Sequence, residues 1–124
     1  MHPADASVLD DAVLAELLTS TGEDVAFVRD LLETYLAETP EQLDAIRAAV
    51  ASNDAAGLVR PAHTLKSSSA TLGAMRLSSL GRELEMAGRS GSLDASAQPT
   101  LDAANDAWQA TEEAVQAWLA ARNP

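Results

Sequence analysis

Apolar residues recur every three or four positions along most of this chain, which is the spacing of helices that bury one face. The pattern is clearest in the middle of the sequence, where an advance of about 100° per residue brings one set of side chains together. That set is Leu58, Ala62, Leu65, Ser69 and Leu72. His63 falls on the opposite side of the predicted helix, with Lys66, Ser67 and Ala70 one turn further along and Val59 one turn back. We therefore predict a helix with one buried face and one solvent face that presents His63.

Other helices are predicted on both sides of this stretch. A first helix, capped by Ser7 or Asp5, runs to about Thr19. Its apolar positions are Leu9, Val13, Leu14, Leu17 and Leu18. A second helix follows Glu23 and Asp24, whose charges favour the positive end of a helix dipole. Its stripe continues through Leu32, Leu36, Thr39, Leu43, Ile46 and Val50.

The C-terminal half shows the same periodicity. Gly73 is a suitable residue to end the helix that carries His63. Leu77, Leu80, Leu84 and Ala87 then mark another helix, which ends at Gly88 to Gly91. A linker from Ser92 to Pro99 precedes the last helix, which frays at Arg122. The apolar positions of that last helix are Leu101, Ala104, Trp108, Thr111, Val115, Trp118 and Leu119.

Two prolines make helix boundaries ambiguous. Thr39-Pro40-Glu41-Gln42 has the form of a capping box with proline at the first helical position, which would start a new helix. The apolar stripe keeps its phase through Pro40, however, so we favour one long helix, kinked where the hydrogen bond to the Leu36 carbonyl is lost. Pro61 raises the same question close to His63. A break there would move Val59 and Arg60 away from the face that carries His63.

These helices, each with one apolar stripe and short connections, bury their stripes only against one another. The expected fold is all-α, an antiparallel helical bundle. The length of 124 residues is typical of one domain, so residues 1–124 are predicted to form a single domain. Trp108 and Trp118 lie at helical spacing and are predicted to be core residues.

Composition narrows the functional classes. The chain has no cysteine, and its two histidines, His2 and His63, are far apart, so we expect no metal site. Without a membrane-length apolar run or a signal pattern, we expect a cytoplasmic protein that does not bind membranes. A net charge of -11 also argues against binding to nucleic acid. Basic residues are concentrated between Arg60 and Arg89, which contains five of the eight in the chain and only two carboxylates.

The residues around His63 suit phosphoryl transfer. A neutral imidazole is a competent nucleophile near neutral pH. Capture of a phosphoryl group needs in-line approach and a positive charge, which Lys66 supplies one turn away. Ser67 and Ala70 are small enough to admit a partner protein, and the Ser67 hydroxyl is able to donate to a phosphoryl oxygen. The sequence contains no nucleophile-elbow or nucleotide-binding glycine pattern, which argues against a hydrolase and against autonomous use of ATP.

The stretch from Ala62 to Ala74 resembles the signature of histidine-containing phosphotransfer (HPt) domains. It combines a histidine, a lysine three residues later, a run of small residues and Leu72-Gly73. Further similarity lies in Leu9-Asp10, in residues 27–54 with Thr39-Pro40-Glu41, and in residues 80–85. The family commonly has glycine after the lysine, where this chain has Ser67. Gly81 interrupts the fourth helix, which suggests close packing against a neighbouring helix.

The resemblance implies an antiparallel four-helix bundle with an additional N-terminal helix. It further implies that His63 accepts a phosphoryl group on Nε2 from the aspartate of a receiver domain and passes it to another receiver, with Lys66 as electrostatic partner. A receiver would dock over Val59, Arg60, Ser67 and Ala70 and contribute bound Mg²⁺. No intrinsic cofactor is expected. The partners would be response-regulator receivers and a hybrid histidine kinase, and the protein would be a monomer without kinase activity.

Two other readings remain open. In the first, the same face binds a signalling partner as a non-phosphorylated adaptor, and substitution of His63 leaves signalling intact. In the second, the chain is the dimerisation and phosphoacceptor module of a histidine kinase, which would bring a dimeric two-helix hairpin and an attached nucleotide-binding domain. The length of the chain and its lack of a nucleotide loop argue against the second reading.

Overall fold

A computed structural model describes residues 8–122, which form five α-helices joined by short connections. The helices are α1 (Asp11–Ser20), α2 (Val25–Ala51), α3 (Ala55–Leu72), α4 (Met75–Arg89) and α5 (Ala97–Ala121). Helices α2 to α5 pack in sequence, α5 closes back onto α2, and α1 contacts α2 and α3. This is the predicted all-α architecture, a four-helix bundle with an additional N-terminal helix. No helix within residues 8–122 is both long and apolar enough to cross a membrane.

Aspartates begin the first three helices. The side chains of Asp10, Asp24 and Asp54 each accept a hydrogen bond from a backbone N–H in the first turn that has no partner within the helix. Capping by Asp54 starts the helix of His63 at Ala55. The first helix begins later than predicted, at Asp11, because Asp10 is its cap. The predicted caps Ser7 and Asp5 lie outside the described residues.

The prolines do not divide the helices that contain them. Helix α2 continues through Pro40 and α3 continues through Pro61, so the prediction of one long helix at Pro40 is confirmed. Because α3 continues through Pro61, Val59, Arg60 and His63 belong to one helix. The Pro61 side chain is buried. The predicted linker ending at Pro99 is too long, because α5 begins at Ala97. Pro99 fits in the first turn of α5 because the backbone N–H groups of a first turn have no partner within the helix.

The core is formed by the predicted stripes, with one exception. The five predicted positions of α3 from Leu58 to Leu72 are buried, and both Trp108 and Trp118 are at most 8% exposed, which confirms their assignment to the core. The ring of Tyr35 packs edge-to-face on Trp108, with a centroid distance of 5.4 Å. The exception is α4, whose buried positions include a serine, two glycines and a glutamate. These positions are Leu77, Ser78, Gly81, Leu84, Glu85 and Gly88.

Gly73 ends α3 and also joins it to α1. Its φ of 87° lies in the left-handed region that favours glycine at a helix end. Its carbonyl accepts a hydrogen bond of 2.8 Å from the Asp10 backbone N–H. A Cβ added at Gly73 would lie 2.9 Å from the Asp10 carbonyl oxygen. The predicted helix end is therefore confirmed, and the same glycine admits the start of α1.

Candidate functional site

His63 lies on the solvent face of α3, opposite the core stripe. Its side chain is 53% exposed, while Ala62 and Leu65 beside it in the helix are fully buried. Val59 is half-buried, and Arg60, Ser67 and Ala70 are exposed on the same helix. The face predicted for docking is thus present as one continuous helical surface, although its use by a partner stays a prediction.

Helix α4 approaches α3 unusually closely beneath this face. A Cβ added at Gly81 would lie 2.9 Å from the backbone nitrogen of Lys66, and one added at Gly88 would lie 2.8 Å from the carbonyl oxygen of Ala55. The earlier residue of α4 therefore meets the later residue of α3, which makes the two helices antiparallel. Ser78 extends the contact, because its hydroxyl donates to the Lys66 carbonyl at 2.9 Å. Close packing at Gly81 is the role that its position in the sequence suggested.

Glu85 lies between the two glycines on the buried side of α4 and is directed toward His63. Its Oε2 lies 3.1 Å from His63 Nδ1, and its Oε1 lies 2.6 Å from Lys66 Nζ. Arg89, one turn along α4, donates from Nε at 2.9 Å and from Nη2 at 2.7 Å to the same Oε2. A buried carboxylate requires this degree of pairing, since removal from water strongly disfavours an isolated charge.

Hydrogen bonds from Lys66 and Arg89 lower the pKa of Glu85 from 4.5 to about 2, against the opposing effect of burial. The carboxylate is therefore ionised at neutral pH and acts only as a hydrogen-bond acceptor. The short contact with His63 Nδ1 consequently assigns the ring proton to Nδ1, which donates to Glu85. In the neutral ring, Nε2 is then the unprotonated nitrogen. Because Nδ1 is held by Glu85 and the side chain is half exposed, Nε2 is the ring nitrogen whose lone pair stays free.

The structure brings two of the predicted residues together through a third that the sequence did not reveal. His63 and Lys66 both bind Glu85, so the ammonium group of Lys66 is already paired with a carboxylate. Neither Glu85 nor Arg89 was predicted at the site. A signal was present in the sequence: Glu85 occupies a buried phase of α4 between Gly81 and Gly88, where a charged residue needs a partner. The apolar stripe drawn through Leu80 and Ala87 obscured it, since these two residues are only partly buried.

A groove of about 320 Å³ between α2 and α3 adjoins this site on the other side of α3. Leu31, Tyr35 and Leu72 contribute apolar surface, and Glu38 and Thr64 are among its polar residues. Thr64 directly follows His63 in the chain. Within residues 8–122, no cluster of three or more histidine, aspartate or glutamate side chains is arranged to hold a metal ion.

The fold and the site together define a class of protein: a helical bundle that presents one accessible histidine, oriented by a buried carboxylate, on an otherwise continuous helical face. Residues 30–119 match the family model described as the Hpt domain. The chain therefore belongs to the Hpt domain family.

Two solved structures are similar to this protein over nearly its whole length. Histidine-containing phosphotransfer protein B (HptB) from Pseudomonas aeruginosa PAO1 has 27% sequence identity and a TM-score of 0.84, with 96% of this chain and 100% of that chain covered. The HPT domain of the Hpt sensor hybrid histidine kinase from Shewanella has 23% identity and a TM-score of 0.77, with 97% and 100% covered. A search of curated protein sequences gave no significant match.

Family membership and the likeness to HptB identify the role of the chain as histidine phosphotransfer in phosphorelay signalling. Hpt proteins are phosphocarriers rather than kinases, and they interact with receiver domains and hybrid kinases. The predicted family and fold are confirmed.

Proposed function

We propose that His63 is the phosphoryl carrier of this phosphorelay protein, with Nε2 as the nucleophile. The contact between His63 Nδ1 and Glu85 Oε2 carries the proposal, because it leaves the lone pair of Nε2 free on a half-exposed ring. No other histidine lies among residues 8–122.

The proposed transfer begins with a receiver domain whose aspartate carries the phosphoryl group. The Nε2 lone pair forms a bond to phosphorus while the bond from phosphorus to the aspartate oxygen breaks, and the aspartate leaves as a carboxylate. The proton on Nδ1 stays with the ring, and the Glu85 carboxylate stabilises the positive charge that the ring acquires. The reverse steps pass the phosphoryl group to another receiver aspartate.

Lys66 and the receiver both stabilise the negative charge on the transferring phosphoryl group. Lys66 Nζ is held near the ring by Glu85 and offers a positive charge to the phosphoryl oxygens. Mg²⁺, which the receiver and not this chain would hold, would supply neutralisation of charge on the transferring group. The receiver docks over Val59, Arg60, Ser67 and Ala70, where the half-buried Val59 and the small Ser67 and Ala70 leave the histidine accessible. The chain acts as a monomer in the cytoplasm and has no kinase activity of its own.

The test uses receiver domains that have been phosphorylated with labelled acetyl phosphate in the presence of Mg²⁺ and are then incubated with this protein. We expect acid-labile label on the wild type and none on His63→Gln. His2→Gln is the matched control, since it removes the other histidine of the chain and should label normally. Incubation of the wild type with labelled ATP and Mg²⁺ alone should leave it unlabelled.

Equal labelling of wild type and His63→Gln would overturn the assignment of His63. If no receiver labels the wild type but partners still bind it and respond to His63→Gln as they do to wild type, the adaptor reading would replace the phosphocarrier. A bulky change at Ser67 should slow transfer under the phosphocarrier hypothesis because it obstructs docking beside the ring.

A further inference from the structure

Helix α4 presents a stripe of three exposed side chains beside the histidine. Arg82, Met86 and Arg89 are spaced by four and three residues, so they project from one side of the helix. Arg89 locates this side relative to the site, because its guanidinium binds the same Glu85 oxygen as His63. We call Arg82, Met86 and Arg89 the α4 stripe.

The chemistry of the α4 stripe differs from that of an ordinary solvated surface. Met86 is 60% exposed, more than Phe27 at 46% or Val25 at 36%, which are the other exposed large apolar residues of the described chain. Arg82 makes no ion pair with any carboxylate of residues 8–122. Methionine and arginine are both enriched at protein interfaces, where a flexible apolar side chain and a planar cation adapt to a partner.

The charge distribution indicates which partner this stripe suits. A receiver that donates an aspartyl phosphate and holds Mg²⁺ must expose carboxylates around its reacting aspartate, because Mg²⁺ takes oxygen ligands. This protein has a net charge of -11 and would repel such a surface on approach. An attractive field is therefore needed locally, on the side of the molecule that carries His63. Arg82 and Arg89, whose side chains are both exposed, provide cations at that edge.

We propose that the α4 stripe is part of the receiver-docking surface, in which Arg82 contacts the carboxylate-rich rim of the receiver and Met86 contacts apolar surface next to it. The inference rests on the proposed function and extends the docking face from α3 onto α4. Arg82 acts mainly on the rate of encounter, whereas Met86 contributes short-range contact.

Phosphotransfer kinetics test the stripe, with a phosphorylated receiver domain that labels the wild type as the probe. Arg82→Glu should lower kcat/KM about tenfold at low ionic strength, and the loss should shrink to about twofold in 0.5 M salt as screening removes the long-range field. Met86→Ala should raise KM about threefold and leave kcat unchanged, since removal of a docking contact weakens binding without altering the reaction.

Two control variants distinguish the stripe from general effects. Arg47→Glu changes the net charge equally at an exposed position of α2, and it should change kcat/KM less than twofold. Val25→Ala truncates another exposed apolar side chain and should leave KM unchanged. If Arg82→Glu and Arg47→Glu slow transfer equally, net charge alone is responsible and the stripe is refuted. The stripe is also refuted if Met86→Ala leaves KM unchanged, as Val25→Ala should. If the wild type is labelled and the α4 variants transfer at the wild-type rate, the stripe alone is refuted. If His63→Gln is labelled as well as wild type, the proposed function on which the stripe rests is refuted.

Discussion

The two interfaces that flank α3 are built in different ways. On the α4 side, Gly81 and Gly88 bring the helix backbones together, and the buried carboxylate of Glu85 meets His63 and Lys66. On the α2 side, a groove of about 320 Å³ lies between the two helices. Close approach thus positions the chemistry on one side of α3, whereas the other side leaves an open surface.

Polar groups are buried in both interfaces, but for different purposes. Tyr35 and Ser69 form a hydroxyl pair of 2.7 Å between α2 and α3, and burial raises the pKa of Tyr35 to about 12, so the phenol keeps its proton. This pair is neutral and only joins the helices. The carboxylate of Glu85 remains charged and orients the His63 ring. The comparison teaches that the α4 interface holds His63 through a charged group, whereas the α2 interface joins its helices through a neutral pair.

The largest loss of stability is expected when a side chain is added at the close contact between α3 and α4. Gly81→Val would place a branched side chain against the backbone of Lys66 and should destabilise the protein by about 3 kcal/mol through overpacking. Ser79→Val, at an exposed position of the same helix, should change the stability by less than about 0.5 kcal/mol. Urea denaturation of both variants measures the difference. Similar unfolding midpoints would show that the close contact at Gly81 is unimportant.

An intermediate loss of stability is expected when the pH is lowered. The pKa of Glu85 is lowered in the folded protein, so its ionised form stabilises the fold above the ordinary carboxyl value of 4.5. That contribution is lost progressively as the pH falls from 4.5 toward the folded value of about 2. Glu85→Gln cannot titrate at this position, so its stability should fall less steeply across this window than that of wild type. Parallel curves of unfolding free energy against pH would contradict the role assigned to the ionised carboxylate.

The smallest effect is expected on the α2 side. Tyr35→Phe removes one partner of the buried hydroxyl pair and should cost about 1 kcal/mol of stability. Adding Ser69→Ala to this variant should cost little more, because its partner is already lost. Receiver-dependent labelling of His63 should match wild type in both variants, since α2 does not hold Glu85. A large loss of labelling with retained stability would remove the distinction between the two interfaces.

Much of the bundle follows from local periodicity. The stripe from Leu58 to Leu72 predicted which face of α3 is buried, and its phase is unaffected by Pro61. The phase of α2 likewise predicted continuity through Pro40. These inferences succeeded because the face of a helix depends on residues three and four apart, which the sequence presents directly. The start of α5 was predicted too late, since Pro99 has the same appearance in a linker and in a first helical turn.

The site was predicted only in part for a related reason. His63 and Lys66 are one turn apart, so their proximity was evident. Glu85 lies on another helix, 22 positions from His63, and it reaches Nδ1 only because Gly81 and Gly88 allow α4 to approach. Arg89 joins the cluster through Glu85. Contacts of this kind depend on the register and distance between helices, which the periodicity of one helix does not contain.

The sequence by itself determined the five helices, the buried faces of all but α4, the exposed position of His63 and its placement one turn from Lys66. Short-range helical geometry is sufficient for each of these features. Only the tertiary structure decided that a buried carboxylate would hold Nδ1, bind Lys66 and Arg89, and leave the lone pair of Nε2 free. The reason is physical: an isolated buried charge is costly, so the position of Glu85 is acceptable only when packing of α3 on α4 supplies all of its partners together.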